Sequence, residues 1–173
     1  MLETIGLDIF DQIPTSDALC IATNCTVLKD GTNPMGAMAG AAARRWYDLP
    51  YFYGALLQSA GAVPVIIGYI EKRKPDIFFD FTSLRALVNI NVEHITDFCA
   101  LVAYPTMYDI GEPADLDLVV RSAKLLVEMT NTNGWQKVVL GRSGCGVGGL
   151  DWETQVKPAT KDIFDNRFTC MHK

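Results

Sequence analysis

Gly141-Arg142-Ser143-Gly144-Cys145-Gly146-Val147-Gly148-Gly149-Leu150-Asp151-Trp152 is the stretch that decides how this chain is read. It follows an apolar run, Val138-Val139-Leu140, and leads into a segment able to begin a helix, with Asp151 placed to cap it. Five glycines within nine residues strip side chains from a loop at a strand's exit. Main-chain N–H groups in such a loop can wrap an anion, and a following helix N-terminus adds a favourable dipole. The physics points to a phosphate or diphosphate held by backbone. The plainer alternative is a mobile surface loop.

Working outward, residues 17–23 read as a short, largely buried strand that ends at Asn24, with a polar turn at 29–34. Residues 35–46 are Ala-rich and close on Arg44 and Arg45, as suits the negative end of a helix. Residues 63–70 form a strand, and 76–81 its hairpin partner through a turn at 72–75. The run 101–104 is a strand stopped by Pro105. The clearest helix takes Pro113 at its first position and Asp115 and Asp117 in its first turn, with Leu116, Val119, Val120, Ala123 and Val127 on one apolar face. It ends at 131–134, and 137–140 is the next strand. A last helix covers 151–164, its start disturbed by Pro158, and 168–171 adds a terminal strand. Continuous apolar strands alternating with amphipathic helices indicate an α/β sheet covered on both faces. Ligands of such sheets bind beyond the carboxyl ends of strands, where the loops 24–40 and 141–151 both begin.

Composition narrows the function. The chain has 173 residues, 49% hydrophobic and 20% charged, enough for one domain with a full core, and its net charge of −5 argues against a general nucleic-acid-binding surface. The only dense basic cluster, Lys72-Arg73-Lys74, reads as a solvated turn. No apolar run approaches a membrane span, and Met1-Leu2-Glu3-Thr4 lacks the basic start of an export signal. Five scattered cysteines without a Cys-x-x-Cys pair read as reduced thiols of a cytoplasmic protein. With two histidines, His94 and His172, no zinc site is expected, and no cofactor is called for.

At its two Gly-bearing loops the chain resembles macrodomains, the ADP-ribose-binding fold, especially stand-alone bacterial and viral members carrying Gly-Cys-Gly-x-Gly-Gly-Leu-Asp-Trp. That motif is complete here at 144–152. Asp8-Ile9, Thr23-Asn24, Met35-Gly36 and Asp165-Asn166-Arg167-Phe168 match in order and spacing. The resemblance implies a three-layer α/β/α sandwich with a mixed, mostly parallel sheet, forming one domain over residues 1–173. It implies ADP-ribose, free or on a macromolecule, as the ligand. Asp8 would accept a hydrogen bond from the adenine amino group, and Asn24 would bond the distal ribose. The backbone around Gly36 would touch the diphosphate or distal ribose, and Ser143, Gly144, Cys145, Gly146, Val147 and Gly148 would cradle the diphosphate. Each has a plainer role open to it: Asp8 as a cap, Asn24 as a turn former, Cys145 as a small loop residue with no base nearby in sequence.

The chain also departs from the pattern. Leu7 stands where Gly-Asp-Ile members have Gly, and Met35-Gly36-Ala37-Met38 replaces Met-Gly-x-Gly, putting a thioether at the first helix. Tyr104-Pro105-Thr106-Met107 replaces Phe-Pro-x-Lys, so Met107 takes the place of a lysine that serves ADP-ribosyl cleavage in some relatives. Gly148 stands where others have an acid. Residues 71–97 read as an insertion. The leading expectation is a binding module for ADP-ribose or a related adenine nucleotide. The alternatives are a hydrolase of ADP-ribosyl linkages relying on Asn24, and an interaction protein that has lost the ligand.

Overall fold

Alternation along two central strands sets the architecture. In β2 (Ala18–Asn24), Leu19 and Ile21 enter the core on one face of the sheet, and Ala18 and Cys20 the core on the other. In β5 (Phe98–Met107), Cys99, Leu101 and Ala103 share the first face, and Ala100, Val102 and Tyr104 the second. A strand buried on both faces needs a layer on each side. This computed structural model describes residues 1–6, 8–80 and 96–172.

The remaining strands are β1 (Leu2–Ile5), β3 (Val65–Glu71), β4 (Lys74–Phe79), β6 (Val138–Gly141) and β7 (Phe168–His172). The sheet runs β1-β7-β6-β2-β5-β3-β4. Neighbours are parallel from β1 to β5, and β3 and β4 join antiparallel. One face carries a 3-10 turn (Ile9–Thr15), α1 (Ala37–Arg45) and α2 (Leu49–Ala60). The other carries α3 (Leu116–Asn133), a π-helical turn (Trp152–Val156) and α4 (Lys157–Thr160). The expected three-layer sandwich with a mixed, mostly parallel sheet is the observed one.

Several local expectations need correction. The strand expected to stop at Pro105 runs on to Met107. Pairing with β3 reaches only Ala103, so the last residues of β5 have one open edge, where a missing N–H is tolerated. Pro113 lies outside α3, whose cap is Asp115, accepting from the Leu118 N–H at 2.7 Å. The buried stripe is Leu118, Val119, Ser122, Ala123, Leu126 and Thr130, which leaves Leu116, Val120 and Val127 half-buried at its margins. Ser122 and Thr130 enter the core because their hydroxyls donate to the carbonyls of Pro105 and Leu126, at 3.0 and 2.8 Å. The last helix is shorter than 151–164: Asp151 caps it, accepting from the Thr154 N–H at 2.7 Å, but the chain first widens into the π turn and is helical only through Thr160.

β3 and β4 form the expected hairpin, turning at Lys72 and Arg73, with the Phe78 ring lying where any side chain on Gly68 would stand. Of the expected insertion at 71–97, residues 81–95 lie outside the described residues, as do Leu7 and His94. β1, the 3-10 turn and α2 were not anticipated. α2 matters to function because it props the loop after β2. Gly54 lets the Gly31 carbonyl approach closely, and the Pro50 carbonyl accepts from the Asn33 N–H at 2.9 Å.

Candidate functional site

The loops that leave β2, β5 and β6 at their carboxyl ends enclose a cleft of about 1150 Å³. Its walls are the start of α1, residues 106–113, and the glycine loop 144–149.

The glycine loop is held by its own backbone. Leu150 N–H donates to the Gly144 carbonyl at 3.0 Å, and Gly149 N–H to that of Gly146 at 3.1 Å. Ala114 N–H donates to the Gly148 carbonyl at 2.8 Å, tying the loop to the segment before α3. Gly144 takes φ +82°, which an L side chain rarely adopts. Among the described residues, nothing accepts from the N–H groups of Gly146, Val147 and Gly148, all three of which line the cleft. The start of α1 offers a second such set. Gly36 caps it without a side chain, so the first-turn N–H groups of Ala37 and Met38 are likewise unclaimed beside the same cleft. Met35 and Ala37 flank Gly36 with φ +42° and +48°, a strained conformation for non-glycine residues.

Asn24 is buried and its amide orientation is determined by its neighbours. Its Oδ1 accepts from the Thr26 N–H at 3.0 Å and from Asn33 Nδ2 at 3.0 Å, so its own Nδ2 is the donor left over at the cleft wall. Asn33, read from sequence only as part of a polar turn, is 1% exposed and organises this corner. Its Nδ2 also reaches the carbonyls of Asn24 (3.1 Å) and Thr26 (2.8 Å), and its Oδ1 accepts from the Met35 N–H at 2.8 Å.

At the opposite end Asp8 performs the capping role open to it, accepting from the Phe10 N–H at 2.9 Å through Oδ1. Its Oδ2 meets Arg45 Nη2 at 2.7 Å, and the Arg45 guanidinium sits over the Phe10 ring, 4.7 Å from its centroid. Asp8, Phe10 and Arg45 all line the cleft. Sequence gave no sign of Arg45 beyond its place near a helix end; the approach of α1 to the 3-10 turn is a long-range event.

Three thioethers line the cleft: Met38, Met107 and Met171. A Cβ on Gly141 would lie 2.6 Å from the Met38 methyl, so the side chain expected to narrow that wall is received by a glycine opposite. Met107 ends β5 as the register partner of Asn24. Ser143 is buried and absent from the cleft lining, its hydroxyl donating to the Gly141 carbonyl at 3.2 Å. Cys145 lines the cleft, but burial pushes its thiol up to about 11, with Arg142 opposing weakly, so it stays protonated at neutral pH. Glu112, which sequence reasoning missed, brings a carboxylate to the wall formed by residues 106–113. Beside the loop, Glu3 accepts from Lys157 at 2.7 Å and from Arg142 at 3.2 Å; these bonds, Lys157 first, hold its carboxyl below the usual range despite partial desolvation. Among the described residues no cluster of His, Cys, Asp or Glu could hold a metal ion, and no helix is long and apolar enough to cross a membrane.

No family model matches the sequence, and no curated protein matches it. Solved structures do match the fold. DarTG of Thermosipho africanus, in complex with ADP-ribose, aligns with 99% of this chain at a TM-score of 0.69 and 14% identity. This chain spans only 41% of that protein. The macrodomain of Mycobacterium tuberculosis DarG aligns over 99% of this chain and 98% of its own length, at a TM-score of 0.66 and 17% identity. The Thermus aquaticus DarG macrodomain covers the same shares at 0.61 and 17%. With the sheet order, the two loops and these likenesses together, the chain has the macrodomain fold.

Proposed function

We propose that the cleft binds ADP-ribose or a closely related adenine nucleotide, with the diphosphate between the glycine loop and the start of α1. One observation carries this reading: two sets of unclaimed backbone N–H groups, at 146–148 and at the first turn of α1, border one cleft. Such groups satisfy an anion without a lysine, and the helix dipole favours the same charge. The solved structure bound to ADP-ribose supports the reading at the level of the fold. In this reading Asp8 takes the adenine amino group, Asn24 Nδ2 a hydroxyl of the distal ribose, and Gly36 with Gly144–Gly148 the diphosphate; Ser143 acts by shaping the loop.

Calorimetry tests it. ADP-ribose should bind one site per chain and raise the melting temperature, while AMP, offering one phosphate, binds more weakly. No heat and no thermal shift at millimolar ADP-ribose would overturn the proposal.

A second reading is favoured by one observation. Glu112 lines the same cleft as Asn24 and Met107, which brings in a carboxylate that hydrolysis of an ADP-ribosyl linkage can use as a base.

A further inference from the structure

One side chain outside the cleft grips the glycine loop at both of its ends. β6 ends at Gly141, so Arg142 is the first residue beyond the sheet, and Trp152 opens the π turn on the far side of the loop. Glu3 of β1 lies two strands away, in register with Cys170 of β7, which is in register with Leu140 of β6. Its Oε2 accepts from Arg142 Nη2 at 3.2 Å and from Trp152 Nε1 at 3.3 Å. Its Oε1 accepts from Lys157 Nζ at 2.7 Å, which restrains the carboxylate from α4. The Arg142 guanidinium also lies over the Trp152 ring, 5.2 Å from its centroid. Trp152 is buried, and the Glu3 and Arg142 side chains are only 27% and 30% exposed, so water screens these bonds less than those of a surface ion pair. Arg142 and Trp152 line the cleft; Glu3 does not.

We propose that Glu3 is a positioning residue for the anion: by clasping Arg142 and Trp152 it sets the span of the glycine loop, and with it the convergence of the Gly146, Val147 and Gly148 N–H groups on a diphosphate. This rests on the reading of the cleft as an ADP-ribose site. Backbone bonds within the loop, such as Leu150 to Gly144 and Gly149 to Gly146, curl it; Glu3 joins the residues that bracket it. A cradle of backbone donors gains affinity from being set in advance, whereas a loop free to widen must be ordered by its ligand. The Lys157 bond foremost, with those from Arg142 and Trp152, holds the Glu3 carboxyl below the usual range. Both of its oxygens therefore serve as acceptors at neutral pH. The strand at the edge of the sheet thus acts on the ligand without touching it.

The test measures ADP-ribose affinity by calorimetry, at a temperature where each protein is folded, on the natural sequence, Glu3→Ala, Glu3→Gln, Trp152→Phe, the double variant Glu3→Ala/Trp152→Phe, and Glu153→Gln. Glu153→Gln is the charge control: its carboxylate also meets Arg142 at 3.8 Å and Lys157 at 3.3 Å, but it is 63% exposed and makes no side-chain bond to Trp152. Glu3→Ala should weaken ADP-ribose by about tenfold, and Glu3→Gln, which keeps an acceptor oxygen without the charge, by less. Trp152→Phe keeps a ring and loses the N–H, and should cost about threefold. In the double variant the two losses should not add, because both remove the same bond. Glu153→Gln should stay within about twofold of the natural sequence. A residue that only supports the fold lowers the melting temperature and leaves the affinity of the folded protein unchanged, so affinity separates the two roles. Thermal unfolding establishes that each variant is folded; if Glu3→Ala is not, Glu3→Gln with Trp152→Phe carries the comparison. Unchanged affinity in the Glu3 variants, an equal loss in Glu153→Gln, or additive losses in the double variant overturns this inference alone. Failure of the natural sequence to bind ADP-ribose overturns the underlying reading and the inference with it.

Discussion

Asn33 Nδ2 donates to Asn24 Oδ1 at 3.0 Å, and this bond turns the Asn24 amide so that its own NH2 is left for the cleft. Asn33 makes further bonds to the carbonyls of Asn24 and Thr26 and to the Met35 N–H, all within one buried corner. Replacing it by Ala leaves several buried groups without partners, each worth about 1 kcal/mol or more. Asn33→Ala should lower stability by about 2–4 kcal/mol in urea unfolding and weaken ADP-ribose as well. Unchanged stability would mean that α2, through Gly54 and the Pro50 carbonyl, holds this loop without help.

Asn24→Ala separates support from recognition. In the proposed reading it removes one donor to the distal ribose, and it should weaken ADP-ribose by about 1–2 kcal/mol, leaving ADP nearly unaffected. Equal losses for both ligands would show that Asn24 shapes the loop through Thr26 and Asn33.

The glycine loop holds two residues that sequence alone could not tell apart. A side chain on Gly146 would meet nothing within 4 Å, whereas one on Gly148 would fall 2.6 Å from both the Ala114 Cβ and the Gly144 carbonyl. Gly146→Glu should therefore fold normally and abolish binding, its carboxylate placed beside the diphosphate amides. Gly148→Glu should also lower the melting temperature, because it forces apart the loop and the segment before α3. Circular dichroism melts with calorimetry distinguish the two; equal melting temperatures would show that the loop can move aside.

How much was legible follows from where the determinants lie. β2, the β3–β4 hairpin, the end of α3 at Gly134 and the Asp151 cap are local, and short-range pattern reveals them. α2 was not legible: its Leu49-Pro50-Tyr51-Phe52-Tyr53 start is rich in aromatics on more than one side, so no clean stripe marks it. Pro105 within β5 depends on which neighbouring strand stops first, a tertiary fact. The same holds for the candidate site. The glycine loop is contiguous and readable, while Arg45 and Glu112 reach the cleft only through packing of segments distant in sequence, and Asn33 acts from behind Asn24 without lining it.

The thiols make a chemical prediction with a definite sign. Burial raises Cys25 and Cys145 to about 11, so near pH 8 only about one molecule in a thousand carries either thiolate. Iodoacetamide should modify the folded protein slowly and faster as pH rises toward 10, whereas the urea-unfolded chain reacts at the ordinary thiol rate. Bound ADP-ribose should slow Cys145 further, since it lines the cleft. Rapid labelling of Cys145 at pH 7 would show an activated thiolate and overturn the argument from burial.

In the hydrolase reading, catalysis turns on Met107 and Glu112. Met107 lies beside Asn24 at the end of β5, where the resemblance places the lysine of cleaving relatives, and a thioether can neither attack an anomeric carbon as an amine nor donate a proton. Gly148 supplies no acid, and Cys145 is held as a thiol. Glu112 is the carboxylate left along that wall, on a segment tied to the loop after β2 by the Ile110 N–H to Thr26 Oγ1 at 2.7 Å and by the Cys25 N–H to the Tyr108 carbonyl at 3.2 Å, and within itself by the Glu112 N–H to the Asp109 carbonyl at 3.3 Å. Turnover of ADP-ribosylated substrates by the natural sequence should therefore be slow, and what there is should depend on Glu112. Glu112→Gln should reduce it by about 10²-fold or more with ADP-ribose affinity nearly unchanged, the mark of general-base loss. Cys145→Ser should leave it unaltered. Met107→Lys should raise turnover, because Met107 is the register partner of Asn24 at the end of β5 and lines the cleft. A lysine misplaced by an ångström can still be inert, so its effect is read alongside binding. Rapid turnover by the natural sequence, indifferent to both Asn24→Ala and Glu112→Gln, would place the reacting groups elsewhere.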